Sequence, residues 1–232
     1  MASKKDAKVI IMKWSYSRWS KYHDCPSMYE WQYILKNYNF VQTPAMIRGN
    51  DIHKKAENYV NGKITGMPKE LINFDPEFKA LRREFKKGNG FCEPDISTNK
   101  NGTRSTRKET DYFVGFADFF HHPDGEIPTV IDYKTGRQYP SHQSQGHAYS
   151  TFLLYQHNHF PAIDVEFWYL DDKNPKTNVK DFHFKQNELP KMLALWDKRI
   201  STMYNDTKFK KTPYQWCRSC PRNKDNGGDC NG

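Results

Sequence analysis

Three residues in the middle of the chain have the types and spacing for hydrolytic chemistry. Asp118 lies in Gly115-Phe-Ala-Asp118-Phe, and Asp132 and Lys134 lie in Ile131-Asp132-Tyr133-Lys134-Thr135-Gly136. Both segments read as β-strands. Strand side chains alternate between faces, so Asp132 and Lys134 point the same way and Asp118 on a neighbouring strand can meet them. Two carboxylates brought together on an apolar sheet repel each other. A divalent cation relieves that repulsion and gains hard oxygen ligands. An adjacent ammonium can position a water and stabilise charge at a phosphate, which suits phosphodiester hydrolysis. A lone D-x-K is more often a solvated ion pair, so its surroundings must decide.

Those surroundings predict an antiparallel meander. Phe91 to Ile96 reads as a strand, as does Tyr112 to His121. Pro123-Asp124-Gly125 signals a turn, and Thr129 to Tyr133 reads as the next strand, ended by Thr135-Gly136. A helix follows at His142 to His157, then a half-buried strand at Ala162 to Leu170 and an edge strand at Val179 to Phe184. Glu188 to Tyr204 is a helix with Leu189, Met192, Leu193, Trp196 and Ile200 on one face. Upstream, Ser15 to Tyr38 is helical but interrupted at Pro26. Pro44 to Asn61 is a helix with Ile47, Ile52, Ala56 and Tyr59 on one side, and Phe78 to Phe85 is a shorter one. The order helix, three strands, helix, strand gives an α/β sandwich with a mixed sheet. Residues 1–207 are expected to form a single domain. The tail 208–232 has no apolar periodicity.

Lys and Arg number 36 against 27 Asp and Glu, a formal charge of +9, which favours a polyanionic partner. No apolar run approaches the ~20 residues that span a bilayer, and the amino terminus has no long apolar stretch, so no membrane partner and a cytoplasmic location are expected. Candidate phosphate contacts are Lys86, Lys87, Arg104, Arg107, Lys108, Arg137, Lys208, Lys210 and Lys211. Trp14, Tyr16 and Trp19 could stack on single-stranded bases, although large rings more often build a core. Of the five cysteines, Cys217 and Cys220 form a C-x-x-C knuckle followed by Cys230, and Cys25 precedes Pro26 far upstream. In a reducing compartment such clustering indicates a metal site, with zinc, an iron–sulfur cluster and free thiols all open. Cys92 reads as a buried strand thiol.

Four motifs occur in order: Gly49-Asn50-Asp51-Ile52-His53, Asp118, Asp132-Tyr133-Lys134-Thr135-Gly136, and Gln145-Gly146-His147-Ala148-Tyr149. This series resembles the RecB-type branch of the PD-(D/E)XK nuclease superfamily, with its G-x-x-x-H, strand aspartate, D-x-K-T-G and Q-x-x-x-Y. The likeness runs from about Ser15 to Leu170 and takes in the cysteine tail. It implies a restriction-endonuclease-like core with a helical amino-terminal flank. It also implies Mg²⁺ or Mn²⁺ held by His53, Asp118, Asp132 and the Tyr133 carbonyl, with Lys134 as the catalytic lysine. Glu93 fits the acidic position before the strand aspartate, with Glu84 and Asp95 as nearby alternatives. Gln145, Tyr149 and Arg137 are expected at the nucleic acid. Members with an iron–sulfur cluster carry one cysteine before the core and three after it, so Cys25, Cys217, Cys220 and Cys230 are expected to hold [4Fe–4S], with zinc as the alternative and a longer Cys220–Cys230 gap than usual. The implied activity is a DNA exonuclease acting at single-stranded ends in recombination, repair or phage DNA processing, with recombination or replication proteins as partners. A non-catalytic binding module on the same fold, a structure-specific endonuclease and an RNA-processing hydrolase are the alternatives.

Overall fold

The computed structural model describes residues 13–37, 42–105 and 111–231. Its centre is β5 (Thr129–Lys134), flanked by β4 (Phe119–His121) running antiparallel and β6 (Ala162–Tyr169) running parallel. A parallel neighbour requires a crossover, and α5 (Ser141–Gln156) supplies it. β1 (Gly90–Cys92) and β7 (Val179–Lys185) close the two edges, giving the order β1-β4-β5-β6-β7. The mixed sheet with helices on both faces is the expected fold, and its order of helix, three antiparallel strands, helix and parallel strand is as anticipated.

Alternation along β5 divides the interior in two. Ile131 and Tyr133 pack with α3 (Pro44–Val60) and α4 (Asp75–Lys87) through Ile52, Ala56, Phe78 and Leu81. Val130 packs on the opposite face with α5 and α6 (Leu189–Asn205). There Trp14, wholly buried, stacks on Trp196 at 5.0 Å, and Trp19 meets the same ring edge-on at 5.0 Å. The Arg199 guanidinium covers both Trp19 and Trp196 at 4.6 and 4.7 Å. Trp14 and Trp19 are therefore core residues and unavailable for stacking on bases; Tyr16 is half-buried.

The helix limits follow from their ends. α1 (Tyr16–Asp24) begins where the Ser15 hydroxyl accepts the Arg18 N–H. It stops at Cys25, whose extended backbone admits Pro26, and α2 (Pro26–Tyr29) continues into a wide π turn over Glu30–Ile34. Tyr38 lies outside the described residues. α4 is longer than expected at both ends, opening on Asp75-Pro76 and closing at Gly88 with Lys86 and Lys87 in its last turn. On α3 the predicted apolar side fails at Ile47, which is 54% exposed.

Two strands differ from the sequence expectation. The segment 112–121 is not one strand. Its first part forms β3 (Asp111–Phe113), paired with β2 (Thr98–Asn99) in a separate two-stranded sheet, and its second part is β4. Between them Ile96 N–H donates to the Gly115 carbonyl, and the chain crosses from one sheet to the other. The segment 91–96 forms a strand only as far as Cys92. Glu93 takes a left-handed conformation (φ 48°) and Pro94 has no N–H to continue the ladder. No helix among the described residues is long and apolar enough to cross a membrane. The tail packs on α2: Arg222 Nη1 donates to the Ser27 carbonyl at 2.5 Å and to its hydroxyl at 2.7 Å, and Ser27 N–H donates to the Lys210 carbonyl.

Because Trp196 joins α1, the amino-terminal Trp14 and α5 (its indole N–H donates to His147 Nδ1 at 2.9 Å), its loss opens a cavity shared by three segments. Trp196→Ala is expected to lower unfolding free energy by about 3–5 kcal/mol. Trp196→Phe should cost distinctly less; urea titration followed by circular dichroism measures both.

Candidate active site

Asp118 is the residue immediately before β4, and its side chain turns toward the end of β5. Its backbone is fixed on both sides: its N–H donates to the Ile131 carbonyl at 3.2 Å, and its carbonyl accepts the Glu93 N–H at 2.9 Å. One carboxylate oxygen accepts the Tyr133 N–H at 2.6 Å, and the other lies 2.6 Å from His53 Nδ1. Backbone groups alternate along a strand, so the Tyr133 carbonyl lies on the same edge as Ile131's, beyond the end of β4 and toward Asp118.

His53 comes from α3, on the opposite side of the sheet from α5. It reaches Asp118 because α3 runs close to the turn after β5. A Cβ at Gly49 would stand only 3.2 Å from Thr135 Oγ1, which gives a physical reason for glycine one turn before the histidine. The turn itself is tied back to α3 by Asp171, which accepts the Gly136 N–H at 2.8 Å and pairs with both Arg48 guanidinium nitrogens at 2.5 and 3.0 Å. Arg48 and Asp171 carried no sequence motif and were not anticipated.

Asp132 is 5% exposed. Its Oδ2 pairs with Lys134 Nζ at 2.7 Å, and its Oδ1 accepts from Gln145 Nε2 at 3.1 Å and from the Tyr149 hydroxyl at 3.3 Å. Gln145 completes a ring: its Oε1 accepts from Lys134 Nζ at 2.9 Å, and its Nε2 also donates to the Tyr149 oxygen at 2.7 Å. The neighbouring glycine lets α5 pack closely here, since a Cβ at Gly146 would lie 3.2 Å from both Phe167 and Val165, a tight contact those side chains would have to yield to. Tyr149, expected at the nucleic acid, is instead buried beneath the carboxylate. Its pKa is driven well above its usual value, first by burial and then by the charge of Asp132, so its hydroxyl remains a proton donor. Gln145 reaches the cleft wall but is also committed to Asp132 and Lys134.

Burial raises the pKa of Asp132; the charge of Lys134 opposes this and that of Asp118 adds to it. For His53, burial favours the neutral ring, but the hydrogen bond and charge of Asp118 prevail and raise its pKa. The two acidic groups are thus each matched to one basic group. His142, three residues before Gln145 on α5, is pulled down to about 4 by burial and by the nearby Lys134 charge. Its Nδ1 meets the Tyr169 hydroxyl at 2.8 Å, a support that the helical spacing to Gln145 could have revealed.

His53, Glu93, Asp118, Asp132, Lys134 and Gln145 line one open cleft of about 800 Å³, together with Phe116 and Ala117. Glu93 reaches it from the left-handed position that ends β1. Four oxygen donors and one imidazole around an open cleft suit Mg²⁺ or Mn²⁺ in donor chemistry. Arg137 is exposed just beyond Gly136; Lys86, Lys87, Arg104, Lys208, Lys210 and Lys211 are also exposed, and Arg107 and Lys108 lie outside the described residues.

All five cysteines are free thiols. Cys25, Cys217, Cys220 and Cys230 line a second cavity, between α2 and the tail, with Met28 and Tyr214. Cys92 stands apart on β1, half-buried, its thiol pushed up to about 12 chiefly by burial. Among the described residues no three His, Cys, Asp or Glu side chains converge as a site for one metal ion.

A family model of the PD-(D/E)XK nuclease superfamily matches residues 13–224. The chain belongs to that superfamily. Among solved structures, SSO0001 is similar at 14% identity and a TM-score of 0.47, over 95% of this chain and 85% of that one. The alkaline exonuclease LHK-Exo from Laribacter hongkongensis is similar at 14% identity and a TM-score of 0.26, over 84% of this chain and 93% of that one. The family assignment rests on the family model alone, since likenesses this weak carry no weight. No curated protein matches the chain.

Gln145 holds both Asp132 and Lys134, whereas Tyr149 holds only Asp132. Gln145→Ala is therefore expected to lower kcat about tenfold or more, and Tyr149→Phe by less, with nucleic-acid affinity unchanged in both. Equal affinity and turnover in Gln145→Ala and wild type would show that the ring has no positioning role.

Proposed function

We propose that this protein is a Mg²⁺- or Mn²⁺-dependent deoxyribonuclease of the RecB-like branch, an exonuclease acting at single-stranded DNA ends in recombination, repair or phage DNA processing. The observation that carries this reading is the pairing of Asp118 with His53 and of Asp132 with Lys134 around one cleft. His53, Asp118, Asp132 and the Tyr133 carbonyl would hold the cation. When bound, the cation lowers the pKa of water and draws charge from the phosphate. Lys134, fixed by Gln145, is placed to stabilise the negative charge that develops on the phosphate. Glu93, at the open rim, is placed to orient the attacking water. Every expected ligand is present, which argues against a binding module that has lost catalysis.

End-labelled single- and double-stranded DNA and RNA, incubated with Mn²⁺ and resolved on a sequencing gel, test the activity, the substrate and the exonucleolytic pattern. Asp118→Ala and Asp132→Ala should abolish cleavage, as should EDTA. Lys134→Ala should reduce turnover far more than DNA affinity. Undiminished cleavage in either aspartate variant would overturn the assignment.

Residues 208–232 are read as an appendage held by a structural [4Fe–4S] cluster on Cys25, Cys217, Cys220 and Cys230. One observation supports this: the four thiols line one cavity that joins the tail to α2. Protein purified without oxygen should be brown, absorb near ~400 nm and melt at a lower temperature as Cys217→Ser. Colourless protein with one equivalent of zinc would replace the cluster by a zinc site.

A further inference from the structure

A second cleft, of about 970 Å³, adjoins the catalytic one and shares Glu93 with it. Its inner wall is apolar, formed by Ile96, Phe120 and Leu153, which are 2, 9 and 3% exposed. Its mouth carries Phe91, which is 55% exposed on the edge strand β1. Polar edges come from Gln156, Arg104 and His157. The Gln156 amide is fixed, its Nε2 donating to the carbonyls of Ile96 and Ser97 and to Thr98 Oγ1. A large ring exposed beside an apolar slot, with hydrogen-bonding groups at the edges, has the chemistry of a nucleobase: a flat face to stack and a polar rim to pair. The slot lies next to the groups that would act on the phosphate.

Deepening the nuclease reading, on which it rests, we infer that this cleft takes the base of a nucleotide flanking the scissile phosphate, stacked on Phe91. A base in this slot is out of any duplex, so the cleft selects unpaired strands. Glu93, lying between the clefts, touches both the base side and the phosphate side. The strained left-handed backbone at Glu93 is what places one residue on both.

The test uses the full chain and a set of single-stranded oligonucleotides, each with one 2-aminopurine, titrated in EDTA so that the strand stays intact. Stacking quenches the probe. Wild type should quench it at one position near the bound end, Phe91→Ala should lose that quenching, and Phe91→Trp should restore it. With Mn²⁺, Phe91→Ala should raise KM for single-stranded DNA about tenfold while kcat stays within about twofold, as expected for one lost stacked base. An abasic nucleotide at the quenched position should cause the same loss in wild type and none beyond it in Phe91→Ala. Phe91 is more than half exposed, so its removal leaves the core intact, and circular dichroism checks this. Absence of position-specific quenching, or a KM unchanged in Phe91→Ala, overturns the inference. Quenching without cleavage by wild type would sink the nuclease reading and leave the cleft standing. Cleavage with no dependence on Phe91 would do the reverse.

Discussion

The carboxylate of Asp132 sits nearly out of solvent at the end of a central strand, where an isolated charge would be very costly. Much of the molecule is arranged around that position. Lys134 offsets the charge, Gln145 and Tyr149 bring hydrogen bonds from α5, and Gly146 lets α5 pack closely against Phe167 and Val165. On the other side Asp118 faces the same problem and is answered by His53 and the Tyr133 N–H. The sheet fixes the two aspartates, and two helices on opposite faces stabilise them. A fold with helices on one face alone could not supply both partners.

The pairing of Asp132 with Lys134 was legible because strand alternation is strict: they had to share a face, and they do. The gross order of helices and strands was legible for the same reason, since periodicity survives in the sequence. What local pattern could not show was where a continuous apolar run changes sheets. YFVGFADFFH alternates and is rich in β-formers, yet the chain divides it between two sheets near Gly115. That break is set by tertiary hydrogen bonds, among them Ile96 N–H to Gly115. Tyr149 was misjudged for a related reason: the spacing Gln145 to Tyr149 gives a shared helix face, but not which end of that face meets solvent. Arg48 and Asp171 are 123 residues apart and meet only in three dimensions.

Support around the site is unequal. Lys134 is constrained by a carboxylate, an amide and the face of Phe167 at 5.2 Å. Among the described residues, Glu93 is held through its backbone bond to Asp118 and a left-handed φ, with the Lys54 charge nearby. Precision is concentrated where charge must be controlled, and latitude is left where substrate must enter. The cysteine-bearing tail carries many backbone and side-chain hydrogen bonds onto Ser27 and within itself, such as Asn223 to the Cys217 carbonyl. Burial holds the core; hydrogen bonds to Ser27 and within the tail hold much of the appendage.

The clamp between Arg48, Asp171 and the Gly136 turn has a consequence for biosynthesis. It joins a helix made early to a residue that leaves the ribosome some 120 positions later. Until Asp171 and the parallel strand before it have emerged, β5 has no partner on one side, and the turn after Lys134 is untethered. Contacts of such sequence separation form late. A nascent chain therefore carries His53, Asp118, Asp132 and Lys134 without the geometry to use them. Assembly order thus brings these four side chains into register only after Asp171 has been made.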